Sequence, residues 1–221
     1  MACRFPRFAR PSGRSALKRA AAIAEYIAAE RFSADRPEGR ANLGNLHATQ
    51  GRFDEAVAAY QSAIALDPSF EQAALNLADV YRSRGSEAQA EQTLRELLAR
   101  APGSAPGRHA LGLSLTRQQR SPEALQALAQ AAKLSPESVR FAYVYAIALN
   151  SAGQRAPALN ELQRASKQHP DDPDLLLALA LLERDSGNRE RALGHAKRLA
   201  AVEADNPQAQ QLVRELSGPP R

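Results

Sequence analysis

Four histidines, one cysteine and a short run of carboxylates are the side chains of this chain best suited to chemistry. A metal or acid–base pair on a helix needs its members three or four residues apart, on one face. His47, His109, His169 and His195 are all much farther apart than that. Cys3 is the sole cysteine, so no internal disulfide can form, and no CxxC pair is present for zinc, redox work or covalent haem. HPDDPD, residues 169–174, gathers one His and three Asp. A metal site there would need ligands converging from a fixed geometry. The same order reads more simply as a helix junction: Pro170 stops one helix, Asp172 caps the next and Pro173 opens it. PGSAPGRHALG, residues 102–112, has three glycines but neither nucleotide-binding spacing nor a preceding strand. No nucleophile motif marks a Ser, His and Asp set. The expectation is a chain that is not an enzyme, with no catalytic residue, no cofactor and no metal site.

The segment FAYVYAIAL, residues 141–149, holds Phe141, Tyr143 and Tyr145, three of eleven aromatics in a chain without Trp. Alternation at every second position suits a half-buried strand, or a helix with rings on two sides. Composition favours the helix. Apolar residues make up 44% of the 221 positions and aromatics only 5%. Ala and Leu dominate the apolar set, and they, like Arg, Gln and Glu, are strong helix formers.

The formal charge of +5 is unevenly placed. Residues 1–20 carry Arg4, Arg7, Arg10, Arg14, Lys18 and Arg19 and no acid, which leaves the remainder at −1. A nucleic-acid protein spreads a basic stripe over its folded face, and this body shows none. No apolar run approaches the ~20 residues that span a bilayer. The start reads as a disordered basic lead over 1–14; a targeting peptide or the stub of a longer chain are the alternatives. No secretory signal is readable, so the chain as written reads as cytoplasmic.

Compared with itself, the sequence repeats. NLGNLHATQGRFDEAVAAYQSAIALDP, residues 42–68, recurs without a gap at 76–102, 110–136, 144–170 and 178–204. A small residue returns as Gly44, Ala78, Gly112, Ala146 and Ala180, and an alanine as Ala56, Ala90, Ala124, Ala158 and Ala192. A turn residue returns as Gly51, Gly85, Gln119, Gly153 and Gly187; a closing proline returns as Pro68, Pro102, Pro136 and Pro170. Apolar residues at three- and four-residue spacing make an amphipathic helix. Gly ends it in a left-handed cap, a second helix follows, and Pro blocks its continuation. Such a pair cannot bury its own faces, so stacked copies share a core. In this register residues 139–152 are a first helix. Tyr145 then falls at a Leu position between helices, Phe141 near the junction with the preceding copy, and Tyr143 on the inner side.

This pattern resembles the tetratricopeptide repeat family. The resemblance implies an all-α fold, a right-handed α-solenoid of tandem helix-turn-helix repeats at 37–70, 71–104, 105–138, 139–172 and 173–206. A packing helix over 15–36 precedes them, a capping helix over 207–216 follows with Asn206 as its N-cap, and 217–221 is a tail. Two departures stand out. The usual aromatic early in the first helix is missing, and Gln119 replaces a turn Gly, which puts a tight turn there in doubt. The family presents first-helix residues on a concave face that binds protein or peptide partners. Carried over, the partner-binding positions are Asn42, Asn45, Leu75, Asn76, Asp79, Arg82, His109, Leu113, Arg117, Tyr143, Ile147, Asn150, Leu177 and Arg184, with Ala41, Thr49, Thr116, Ser151, Leu181 and Asp185 beside them. Asn42 and Asn76 are equivalent one repeat apart and could form an amide ladder for a peptide backbone. The family's carboxylate clamp needs a Lys where Ala41 stands, so no clamp is expected.

A closer likeness concerns context. GRANLGNLHATQGRFDEAVAAYQSAIALDPSFEQAALNLADVYRSRG, with RFAYVYAIALNSAG later, resembles the repeat region at the C-terminal end of some bacterial multihaem c-type cytochromes. With no CxxCH of its own, the chain would then be a detached docking module of such a system, and periplasmic. The leading expectation is a non-catalytic scaffold that binds a peptide or partner helix; the alternative partner is a c-type cytochrome. Neither nucleic acid nor a membrane span is expected.

Overall fold

A computed structural model describes residues 36–218. The expectations for the basic lead over 1–14, and for all but the end of the packing helix over 15–36, lie outside these residues. Within them the chain is all-α, with no strand. The helices are α1 (Pro37–Thr49), α2 (Phe53–Leu66), α3 (Glu71–Ser83), α4 (Glu87–Arg100), α5 (Ala105–Arg117), α6 (Ser121–Leu134), α7 (Val139–Ser151), α8 (Arg155–Gln168), α9 (Pro173–Asp185), α10 (Arg189–Val202) and α11 (Pro207–Ser217). First helices start every 34 residues, and so do second helices. FAYVYAIAL is thus helical and lies within α7. Contacts divide the described residues into two compact units, the first ending at Arg84 and the second beginning at Gly85.

Local chemistry explains the boundaries. Ser104, Ser138, Asp172 and Asn206, each one repeat from the next, turn a side-chain oxygen onto backbone N–H groups at the starts of α5, α7, α9 and α11. Each thereby satisfies a donor that the helix itself leaves orphaned. At the other ends, Arg155 donates to the Asp185 carbonyl at 2.8 Å, and Arg189, one repeat later, donates to the carbonyls of Leu216, Glu215 and Gly218. The last turns of α9 and α11 are therefore capped by cations from neighbouring second helices.

The turn inside each pair needs a left-handed residue. Gly51, Gly85, Gly153 and Gly187 sit at φ 74–80°. Gln119 adopts the same conformation, φ 60°, and the Arg120 N–H reaches back to the Leu115 carbonyl at 3.0 Å, as Gln154 does to Leu149 in the next repeat. The tight turn that Gln put in doubt is present, held against the steric cost of a Cβ in that region. Gln119→Gly is expected to raise stability by about 0.5–1 kcal/mol, read as a higher urea midpoint with unchanged slope.

In the first unit the core gathers Ala41, Ala56, Tyr60, Ala63, Ala73, Leu77 and Val80 from α1–α3. In the second, one cluster joins Ala142, Ala146, Leu149, Ala158, Leu162 and Ala165 of α7 and α8 to Leu175, Ala178, Leu179 and Leu182 of α9. Another joins Ala180, Ala192 and Ala196 to Leu212 and Leu216 of α11. The recurrent small residues sit at the closest helix approaches: Ala56, Ala146, Ala158, Ala180 and Ala192 have no exposed surface.

Candidate functional site

In the second unit, α5 and α7 flank a cleft floored by α6. It encloses about 260 Å³ and is lined by Leu113 and Thr116 of α5, Ser121, Ala124, Leu125 and Leu128 of α6, and Tyr143, Val144, Ile147, Ala148 and Ser151 of α7, with Ala152 beyond it. No charged side chain lines it. The 34-residue register puts Leu113 and Ile147 at equivalent positions of successive repeats, so the two residues stand on either side of the same opening. Ile147 keeps 36% of its surface exposed, a large apolar side chain held in water by its backbone. Tyr143 packs partly onto the unit's core and turns its remaining surface into the cleft.

Of the positions expected to bind a partner, the structure gathers Leu113, Tyr143 and Ile147 here, with Thr116 and Ser151 at the rim. Leu177 is half-buried against Leu212 and its neighbours, away from this cleft. Arg184 pairs with Asp185 at 2.9 Å, and Arg117 with Glu87 at 2.6 Å. Asn150 is half-buried.

His109 requires a correction. It was expected on the accessible face, but only 4% of it is exposed. Its ring lies 4.7 Å from that of Phe141, tilted by 34°, and neither ring nitrogen has a hydrogen-bond partner in the protein. Phe141 covers the face that the repeat register left open, so His109 is core. Burial, helped by the nearby Arg140 cation, lowers its pKa to about 4. Ala41, at the equivalent place in the first repeat, is buried for the same geometric reason. The cleft floor, by contrast, comes from a second helix, outside the first-helix positions expected to bind. The signal was EALQALAQ in α6, where Leu125 and Leu128 extend the apolar stripe sideways.

The first unit offers a polar patch instead. Asn45 Oδ1 accepts from Tyr60 Oη and from Asn76 Nδ2, both at 2.7 Å, and Asn76 Oδ1 accepts from Gln72 at 2.7 Å. Arg82 pairs with Asp79 at 2.8 Å. Asn45, Thr49, Asn76, Asp79 and Ser83 rim a shallow depression of about 390 Å³. Leu75 is half-buried. Asn42 is exposed, whereas its repeat equivalent Asn76 has both ends of its amide engaged, so the two do not present alike.

Two of the three carboxylates of HPDDPD, and its histidine, are tied into the fold. Asp172 accepts from the Leu175 N–H at 3.0 Å, Asp171 pairs with Arg198 at 2.8 Å, and His169 Nε2 lies 2.9 Å from the Glu137 carbonyl. Glu183, with 1% exposure, accepts from Asn188 at 2.6 Å and Gln163 at 3.3 Å, the pairing a buried carboxylate requires. Among the described residues no three His, Cys, Asp or Glu side chains come together to hold a metal, and no helix is long and apolar enough to cross a membrane.

Two sequence models, each described as tetratricopeptide repeat, match the chain: one at residues 14–69 and 41–105, the other at 115–182. No curated protein matches it. Among solved structures, YrrB, described as a TPR protein with an unusual peptide-binding site, is similar at 20% identity with a TM-score of 0.64, over 86% of this chain and 97% of that one. PilF of Pseudomonas aeruginosa is similar at 23% identity and a TM-score of 0.68, over 85% and 84%. MamA is similar at 21% identity and 0.65, over 78% and 94%. At these identities the likeness is one of fold. The helix pairs, their period and the matched residues, which span more than half the sequence, agree: the chain belongs to the tetratricopeptide repeat family, whose fold is a scaffold for protein–protein interaction.

Proposed function

We propose that this protein is a non-catalytic docking scaffold, and that the cleft between α5 and α7 receives apolar side chains of a partner peptide or helix. One observation carries the reading. Ile147, Leu113 and Tyr143 line an uncharged cleft of about 260 Å³, a size that takes one or two bulky side chains. An exposed apolar opening rimmed by polar groups has the anatomy of a binding hot spot. The likeness in fold to YrrB, itself described by its peptide-binding site, is consistent with this use. The polar patch at Asn45, Asn76 and Asp79 is a second contact surface, suited to backbone groups of a bound segment. A c-type cytochrome is one candidate partner, carried by the sequence resemblance and by no feature of the cleft.

The test compares the full chain with Ile147→Glu, both immobilised, in capture from a cell extract with quantitative mass spectrometry. Ile147 is exposed, so the substitution should leave the fold and its helical circular dichroism intact. A partner retained by the parent chain and reduced at least ~tenfold by Ile147→Glu supports the cleft. Equal retention by both removes it.

A further inference from the structure

We infer that the occupant of this cleft is an acidic segment, a peptide or helix that places a bulky apolar side chain between α5 and α7 and flanks it with Asp or Glu. The inference rests on the docking reading above and adds the partner's chemistry.

Charge carries it. The described residues as a whole are balanced, with 21 Lys and Arg against 21 Asp and Glu. The stretch that builds the cleft, residues 105–152, breaks that balance. It holds Arg108, Arg117, Arg120, Lys133 and Arg140 against Glu123 and Glu137. The two flanking helices are more one-sided still: α5 and α7 contain Arg108, Arg117 and Arg140 and no carboxylate at all. Part of this charge is engaged within the unit. Arg117 pairs with Glu87, Arg120 with Glu91 and Glu123, and Arg108 donates to Gln130 and to the Pro102 carbonyl. Arg140 is exposed, one turn before Tyr143 and Val144 on the helix that forms one wall. The wall is therefore apolar within and cationic at its N-terminal approach. An acidic flank on the partner would be attracted there, and a basic one repelled. The recognised groups are side-chain carboxylates in a segment, not a free C-terminus, because no Lys–Asn clamp accompanies them.

The experiment uses three short, fluorescein-labelled peptides with acetylated and amidated ends, titrated into the full chain and followed by anisotropy at low salt. One has a central Leu-Phe pair flanked by Glu; the second has Lys for every Glu; the third keeps Glu but has Ser for Leu-Phe. The first is expected to bind at least ~tenfold tighter than either of the others, with affinity falling as salt rises. Arg140→Glu should weaken it about tenfold and Ile147→Glu should abolish it. If the Lys peptide binds as well as the Glu peptide and Ile147→Glu still abolishes binding, the acidic preference is wrong while the cleft stands. If the Glu peptide binds but ignores Ile147→Glu, or if none binds, the inference falls together with the docking reading.

Discussion

Acidification from pH 7 to pH 4 should remove about 3 kcal/mol of stability through His109 alone, and His109→Leu should abolish that share of the loss. The histidine is buried without a hydrogen-bond partner and stacked on Phe141, and its pKa is lowered to about 4 against an ordinary 6.5. Between those values the unfolded chain takes up a proton that the folded chain refuses. Stability is therefore complete above pH 6.5 and falls progressively as the pH drops toward 4. Each unit of difference is worth about 1.4 kcal/mol, which sets the magnitude. His47 and His195, both lowered chiefly by burial, act in the same direction. Carboxylates such as Glu123, held low by its hydrogen bond from Arg120, lose their contribution only at more acid pH, so the upper part of the window belongs to the histidines. Leu is the natural replacement, because Leu75 and Leu177 stand at the same place in other repeats. Urea unfolding at pH 7, 5.5 and 4 reads the effect. A variant whose pH profile parallels the parent's would show that His109 is hydrated or paired in solution.

Gly44→Ala should destabilise by about 1–2 kcal/mol, and Gly194→Ala should stabilise by up to about 1 kcal/mol. Helix propensity favours both changes by a similar amount. Packing decides the sign. A Cβ at Gly44 would lie 2.5 Å from Tyr60 Cε1 and 2.6 Å from Cδ1. That ring is 2% exposed, and its hydroxyl is tethered to Asn45, so it cannot swing away. Overpacking of this kind costs ~1–3 kcal/mol and overrides the propensity gain. A Cβ at Gly194 meets nothing within 4 Å. The repeats also suggest a rescue. Ala146 and Leu162, at the equivalent pair of positions, pack in one core cluster, so Tyr60→Leu should make Gly44→Ala tolerable. A double-mutant cycle on thermal or urea unfolding should then give a favourable coupling of at least about 1 kcal/mol. Additive effects would mean that the α1–α2 contact is not set by this pair.

The same pair shows how far the fold was legible in the sequence. Residues that recur at a fixed phase, such as Ala158 and Gly153, report backbone demands that every repeat shares: close approach in one case, a left-handed turn in the other. Their placement follows from the period alone. Gln119 breaks the pattern in letters but not in space: it takes the same left-handed conformation, with the same hydrogen bond from the following residue back to the first helix as in the next repeat. The site was less legible. Register assigns a residue to a helix face, but accessibility depends on what a neighbouring repeat lays over that face. His109 and Tyr143 share one phase. Phe141 covers the first, while the second remains open to the cleft beside Ile147. The floor comes from a second helix, where periodicity predicts core: Leu128 is buried as that pattern implies, while Leu125 stays half-buried and lines the cleft between α5 and α7.

The central claim, that a partner docks in the cleft of the second unit, is tested most directly by backbone amide hydrogen exchange of the full chain with and without a bound partner, such as the Glu-flanked Leu-Phe peptide. Protection should concentrate on α5 and α7 around Leu113, Tyr143 and Ile147 and should vanish in Ile147→Glu. Protection confined to other helices, or unchanged by that substitution, would contradict it.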